Sequence, residues 1–405
     1  MTPIVVIFAL VYLGMALGTA PYLKIDRTGI ALLGAIVIVA GGWLPEQAAW
    51  DSVSTETISM LLGLMILSAH FKLSGGYQLI TKRIAKLELK PPALLAAIIG
   101  ISGFFAALLT NDVIAMAIAP VLIAICRHRN LDPVPFLLAL CCAVNSGSAL
   151  LIIGSPSSML IGQALDLKFL PFMVSMIVPT VFSCFSIWAV LAYVYRGRWH
   201  VEAPRGQYKD AEFEQHQLGI WIGIVVLIVI VSVYSFTELP RDLVALGVAG
   251  FFLIHTRITT RRLLQEVNWP LLMLFIALFI VNAAFNDTGL PDKAVNEMAK
   301  AGVDLHDTLW LFAATALISD LFSNLPAAML LLPYAEGHAD GIAMVLGCTM
   351  SSSLIIFGSL ANIVVVDTAA QHGIKITVWK HFSIGLPITI LSVGFAGVYI
   401  WLISL

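Results

Sequence analysis

One polar interruption occurs twice in this chain. Residues 108–120 read LLTNDVIAMAIAP and residues 321–333 read LFSNLPAAMLLLP. At a shift of 213, Leu108, Asn111, Ala115, Met116 and Pro120 fall on Leu321, Asn324, Ala328, Met329 and Pro333, and Thr110 falls on Ser323. Each copy sets a hydroxyl and an amide in the middle of an apolar run, where an unpaired polar group is costly in hydrocarbon. The fold must therefore supply partners to both copies.

Hydrocarbon is the solvent to expect. Of 405 residues 60% are hydrophobic and 11% charged, the mark of an all-α polytopic membrane protein embedded in a lipid bilayer. The net charge of −2 singles out no partner, and no nucleic acid is expected. Cys126, Cys141, Cys142, Cys184 and Cys348 lie in or beside apolar runs without zinc spacing. They read as small buried side chains, so no metal is expected. The N-terminus lacks a basic region and a cleavage site and reads as a first membrane helix.

A span needs about 20 apolar residues. Candidates are 4–20, 29–44, 57–71, 134–162 and 172–195, then 218–236, 243–255, 270–285, 341–371 and 382–405. Two domains follow, 1–195 and 218–405, joined by a polar cytoplasmic linker at 196–217. Two further apolar segments, about 91–126 and 306–335, are broken at their centres by the duplicated motif. They read as re-entrant hairpins of two half-length helices, tolerated at membrane depth where protein or a watery cavity surrounds them. With each hairpin returning to its own side, 18 of the 22 Lys and Arg fall on one side and four on the other. The richer side is cytoplasmic and both termini lie outside.

The repeat extends beyond the motif. Arg27, Ala31 and Leu32 match Arg241, Ala245 and Leu246 at a shift of 214; GSALLIIGS at 147–155 lies on SSSLIIFGS at 351–359. Each half then has five spans and one hairpin, so the second is inverted. Inverted repeats with broken helices belong to secondary transporters with a midplane site. The long segments, about 134–167 and 341–371, are broken at Gly154-Ser155-Pro156-Ser157-Ser158 and at Gly358-Ser359-Leu360-Ala361-Asn362. Proline removes a donor and glycine loosens the backbone, which frees amides and carbonyls there. The candidate substrate-binding set is Thr110, Asn111, Asn145, Ser148, Gly154, Ser155, Ser157, Ser323, Asn324, Ser352, Gly358, Ser359 and Asn362.

On these tips and breaks the chain resembles the ion transporter superfamily, which includes divalent-anion/sodium symporters, citrate carriers, sodium/proton antiporters and the membrane subunit of arsenite efflux pumps. The Ser-Asn-Thr tips of the anion symporters are absent. Thr110-Asn111-Asp112 and Ser323-Asn324-Leu325-Pro326 are more similar to the arsenite-pump arm. The resemblance implies an elevator-like secondary transporter in the cell inner membrane, a monomer or homodimer, with a cytosolic ATPase subunit as a conceivable partner.

Two acids stand out. Asp112 at the first tip and Asp320, one helical turn before Asn324, are ionisable groups within membrane segments and are the proton- or ion-coupling candidates. Asp367 reads as a solvated helix end. His70 is read as the only deep histidine, without a partner, so no enzyme and no catalytic residue is expected. No cofactor is expected, and a proton or sodium gradient drives transport. No Lys or Arg lies in a hairpin core or a break. That absence favours a small inorganic substrate of little charge, arsenite or antimonite, over a dicarboxylate-like anion carried with sodium. A sodium/proton antiporter is the third reading.

Overall fold

The computed structural model describes residues 2–17, 25–77, 79, 89–201, 216–255 and 258–403. Most of the expected linker (202–215), the ends of the first and last spans (18–20, 404–405), and Lys24, Lys82, Arg83, Lys86, Arg205, Lys209 and Arg257 of the charge tally lie outside the described residues.

The first half runs α1 (Thr2–Leu17), α2 (Arg27–Ala40), α3 (Glu46–Asp51), α4 (Thr55–Leu73), α5 (Pro91–Leu109), α6 (Asn111–His128), α7 (Pro133–Ser148), α8 (Pro156–Ala164) and α9 (Phe169–Val194). The second runs α10 (Gln217–Phe236), α11 (Arg241–His255), α12 (Thr260–Gln265), α13 (Trp269–Asn286), α14 (Leu290–Lys300), α15 (Thr308–Phe322), α16 (Asn324–Leu331), α17 (Gly337–Ser351), α18 (Leu360–Gln371) and α19 (Val378–Ile403). Among the described residues seven helices are long and apolar enough to cross a membrane, and the chain is a multi-pass membrane protein.

Local sequence explains where these helices start. Ser54 and Asn268, matched residues, each turn a side-chain oxygen onto the backbone N–H three residues on (3.2 Å in both), capping α4 and α13. Asp132 caps α7 ahead of Pro133, and Asp307 caps α15. The short pair α3 and α12 also matches, although neither is apolar enough to show as a span.

The two halves are inverted copies, and the pair α9/α19 shows the inversion directly. These helices begin and end 209 residues apart in sequence. Their equivalent residues Ser183 and Ser392 share a hydrogen bond of 2.8 Å, as residues beside a two-fold axis must. Phe182 stacks on Phe395 at 3.9 Å, and Tyr399 donates to the Ser175 carbonyl at 2.7 Å, so one helix ascends as the other descends. An operation that reverses its own helix reverses the membrane normal. Contacts between halves come in the matching pairs: α2 on α13 and α11 on α4; α1 on α13 and α10 on α4; α6 on α18 and α16 on α8. Gly63 permits the α4–α11 approach, since a Cβ there would strike the Ala245 carbonyl.

The hairpins differ from the expected pair of half-length helices. The arms of the first, α5 and α6, have 19 and 18 residues, each close to a full span; those of the second, α15 and α16, have 15 and 8. The arms still pack on each other about a single-residue tip. Both tips use the same backbone: Thr110 at φ 71°, ψ 141° and Ser323 at φ 83°, ψ 159°. Positive φ on a β-branched threonine is strained, and the surroundings must over-determine it.

Candidate functional site

The long segments are interrupted as one structural rule applied twice. After α7 the chain extends at Leu151, makes one tight turn over Ile152–Gly154 and extends again at Ser155. After α17 it does the same at Ile355, Ile356–Gly358 and Ser359. Gly154 is required because a Cβ would strike the Ser148 carbonyl, and a Cβ at Gly358 would meet Asp320 Oδ1 at 3.1 Å. Ser155 caps α8 by accepting from the Ser158 N–H at 3.1 Å and lies 3.2 Å from Ser157 Oγ.

Each tip is held against a break, with different chemistry. Asn111 Nδ2 donates to Asn145 Oδ1 at 3.2 Å. That oxygen also accepts from Ser359 Oγ at 2.8 Å, and Asn145 Nδ2 donates to Asn362 Oδ1 at 2.9 Å. Asn145 of the first half thus bridges to the second break. At the other tip the Asn324 amide lies 2.7 Å from Ser319 Oγ and 2.8 Å from Ser352 Oγ. With its nitrogen turned inward it donates to the carbonyls of Cys348 and Gly358 at 3.2 and 3.1 Å. Asn362 Nδ2 donates to the Ser352 carbonyl at 2.7 Å. A polar path therefore runs Asn111–Asn145–Asn362–Ser352–Asn324, from tip to tip. Every member is buried, and satisfied amide networks of this kind fix a unique arrangement.

Beside this path lies a cavity of about 480 Å³. Asn111, Asp112, Ser155, Ser157, Ser323, Asn324 and Ser359 line it, so residues from both tips and both breaks meet there. Thr110, Asn145, Ser148, Gly154, Ser352, Gly358 and Asn362 do not line it; Ser148 returns its hydroxyl to the Asn145 carbonyl at 2.7 Å. Asp112 accepts no hydrogen bond from the described residues and opens onto the cavity. Asp320 does not line it: it is 9% exposed, packs against Gly358, and its Oδ1 is buried without a partner.

Helices α1, α2 and α13 add to the wall, and sequence reasoning missed them. Met15, Leu17, Asp26, Arg27, Thr28, Asn268, Pro270 and Leu271 line the cavity, all from the ends of α1, α2 and α13 that lie on the Lys/Arg-rich side. The cavity faces that side. Arg27 corrects the inference drawn from breaks free of cations. Its Nη2 donates to the Phe357 carbonyl at 3.1 Å, and its Nε is buried without a partner. The available signal was its repeat match with Arg241. Histidine needs correction too: His70 Nε2 is 3.0 Å from the Gly219 carbonyl and its ring stacks on Phe252, while His381 is equally buried.

Paired clamshells around one cavity, on inverted repeats, are the architecture of a membrane transporter. Residues 8–346 match the family described as "Citrate transporter", and the chain belongs to it. It is 25% identical over 408 residues to the 46 kDa membrane protein of Mycobacterium leprae, with 94% of each chain covered. It is 23% identical over 446 residues to the silicon efflux transporter LSI3 of Oryza sativa subsp. japonica, covering 92% of each. The crystal structure of the Alcanivorax borkumensis YdaH transporter shares the fold at TM-score 0.59 and 14% identity, over 98% of this chain and 96% of that one.

Proposed function

We propose that the protein is a proton-coupled exporter of a small neutral hydroxide of the arsenite or antimonite kind, working in the inner membrane with both termini outside. The moving body carries its cargo by an elevator-like displacement against the frame. The observation that carries this reading is the charge of the cavity wall: Asp26 and Asp112 against the single cation Arg27. Asp26 is already engaged as the cap of α2 (2.8 Å to the Gly29 N–H), and Arg27 is tied to Phe357. Asp112 remains to carry a proton, with amides and hydroxyls around it to hold uncharged oxygens. Dissolved silicon, the cargo in the rice relative's name, is an uncharged hydroxide of the same chemistry. Asp320 is the reserve coupling group, set behind the second break.

A second reading, a carboxylate anion carried with sodium, is favoured by the family's description and by the free Arg27 Nε. Proteoliposomes decide between them. Arsenite should accumulate with an imposed pH gradient and ignore sodium. Sodium-driven succinate uptake indifferent to pH would overturn the proposal in favour of the second reading. Assays without any soluble ATPase also test whether one is needed.

A further inference from the structure

Two matched arginines bind the moving body at unmatched levels. Arg27, at the start of α2, donates to the Phe357 carbonyl within the second break. Arg241, its equivalent at the start of α11, donates to the carbonyls of Gly162 and Leu167 at the far end of α8. By the repeat, Phe357 corresponds to Ile153; at the helix ends, where Leu167 N–H and Ile374 N–H donate to the Gly162 and Ala369 carbonyls at 2.9 Å, Gly162 and Leu167 correspond to Ala369 and Ile374. A two-fold molecule at rest midway would place both arginines at one level. This one is displaced, with its break drawn toward Arg27 and the Lys/Arg-rich side, which is also the side the cavity faces.

We infer that Arg27 and Arg241 are positioning residues that exchange stations: in the opposite-facing state Arg241 takes the Ile153 carbonyl, and Arg27 takes the Ala369 and Ile374 carbonyls. Each state keeps one arginine on a break and the other on a helix end, so the two states have the same bonds with the halves interchanged. Exchange at similar energy is what a carrier cycling both ways requires. Nine residues separate the near stations, so the body travels at least about 13 Å along its helices at 1.5 Å per residue. One asymmetry remains. Asp166 lies within electrostatic reach of Arg241, whereas its counterpart, which shares its positive φ past the helix end, is the exposed Gly373, so the present state has an attraction that the other lacks.

This rests on the alternating-access reading above, and its test separates the two. In a Cys184→Ala background, a short bifunctional thiol reagent should join Asp242→Cys to Asp166→Cys in the present state. It should join Thr28→Cys to Gly373→Cys only in the other; residues 357 and 373 are about 24 Å apart along the chain axis. The two yields should move in opposite directions as pH gradients are reversed. In a separate chain, Gly373→Asp should raise the opposite-facing fraction about two- to five-fold, the range of an exposed ion pair. That fraction is read as labelling of Val364→Cys by impermeant reagent from the other side. A protein that transports yet never forms the 28/373 link, or forms both links together, refutes the exchange and leaves transport standing. A Gly373→Asp chain with unchanged labelling refutes it as well.

Discussion

The two clamshells share a backbone and differ in which side chain reaches the tip. In the first, Asn145 reaches out to Asn111 while Ser148 turns back onto its own helix. In the second the roles are reversed: Ser352, the counterpart of Ser148, meets Asn324, and Thr349, the counterpart of Asn145, turns back to the Val345 carbonyl at 2.7 Å. The acids diverge likewise. Asp112 faces the cavity and its counterpart is Leu325; Asp320 is walled in and its counterpart is Ala107. The duplicated scaffold preserves where a polar group must be met, while each copy meets it independently. Asn145 of the first thereby ties the molecule across to the second break, and the first also carries the acid that faces the cavity.

The largest difference is expected between Asn145→Ala and Thr349→Ala. Asn145→Ala strands Asn111 Nδ2, Asn362 Oδ1 and Ser359 Oγ together, at about 1–3 kcal/mol per buried group. Thr349→Ala removes a back-bonded hydroxyl and one buried methyl and strands no partner but a helix carbonyl, so it should cost only about 1–2 kcal/mol. Unfolding midpoints in detergent and vesicle transport measure both; equal losses at the two sites would break the comparison.

The acids come next. Asp112→Asn should abolish pH-driven uphill export and spare downhill exchange, because the amide keeps the shape but cannot release a proton. Asp320→Asn should retain most pH-driven transport, since that group does not line the cavity. Full coupling in Asp112→Asn would transfer the role to Asp320 and reverse the assignment of the two clamshells.

At the tips the effects are smaller but ordered. Asn111→Ala and Asn324→Ala should both stop transport with the protein folded. Asn111→Ala should cost more stability, about 1–2 kcal/mol, because Asn145 then lacks one donor while Ser319 and Ser352 both retain the Cys348 carbonyl. Normal uptake in either variant would make that tip structural only. The smallest perturbation tests the inversion itself. Gln47→Cys should label from outside in intact cells, and Lys375→Cys only after the membrane is opened; labelling of both from one side would contradict the inverted arrangement.

Sequence by itself determined the elements whose cause is local. Apolar length marks the spans, Asn, Gly and Pro at constant offsets reveal the repeat, and an odd number of spans per half makes the second inverted. The tips were legible because an amide inside an apolar run has no local reason to exist. Asp112 was legible for the same reason. Only the tertiary structure decided what those groups meet. Asn145 and Asn362 are 217 residues apart, and nothing local foretells their contact. Arg27 looked like a loop charge until the fold placed the start of α2 at the cavity mouth. Asp320 had the right spacing from Asn324, but the α15 face it occupies turns toward Gly358 instead of the cavity. Periodicity gives the direction of a side chain relative to its own helix; what lies in that direction is set by how separate helices pack.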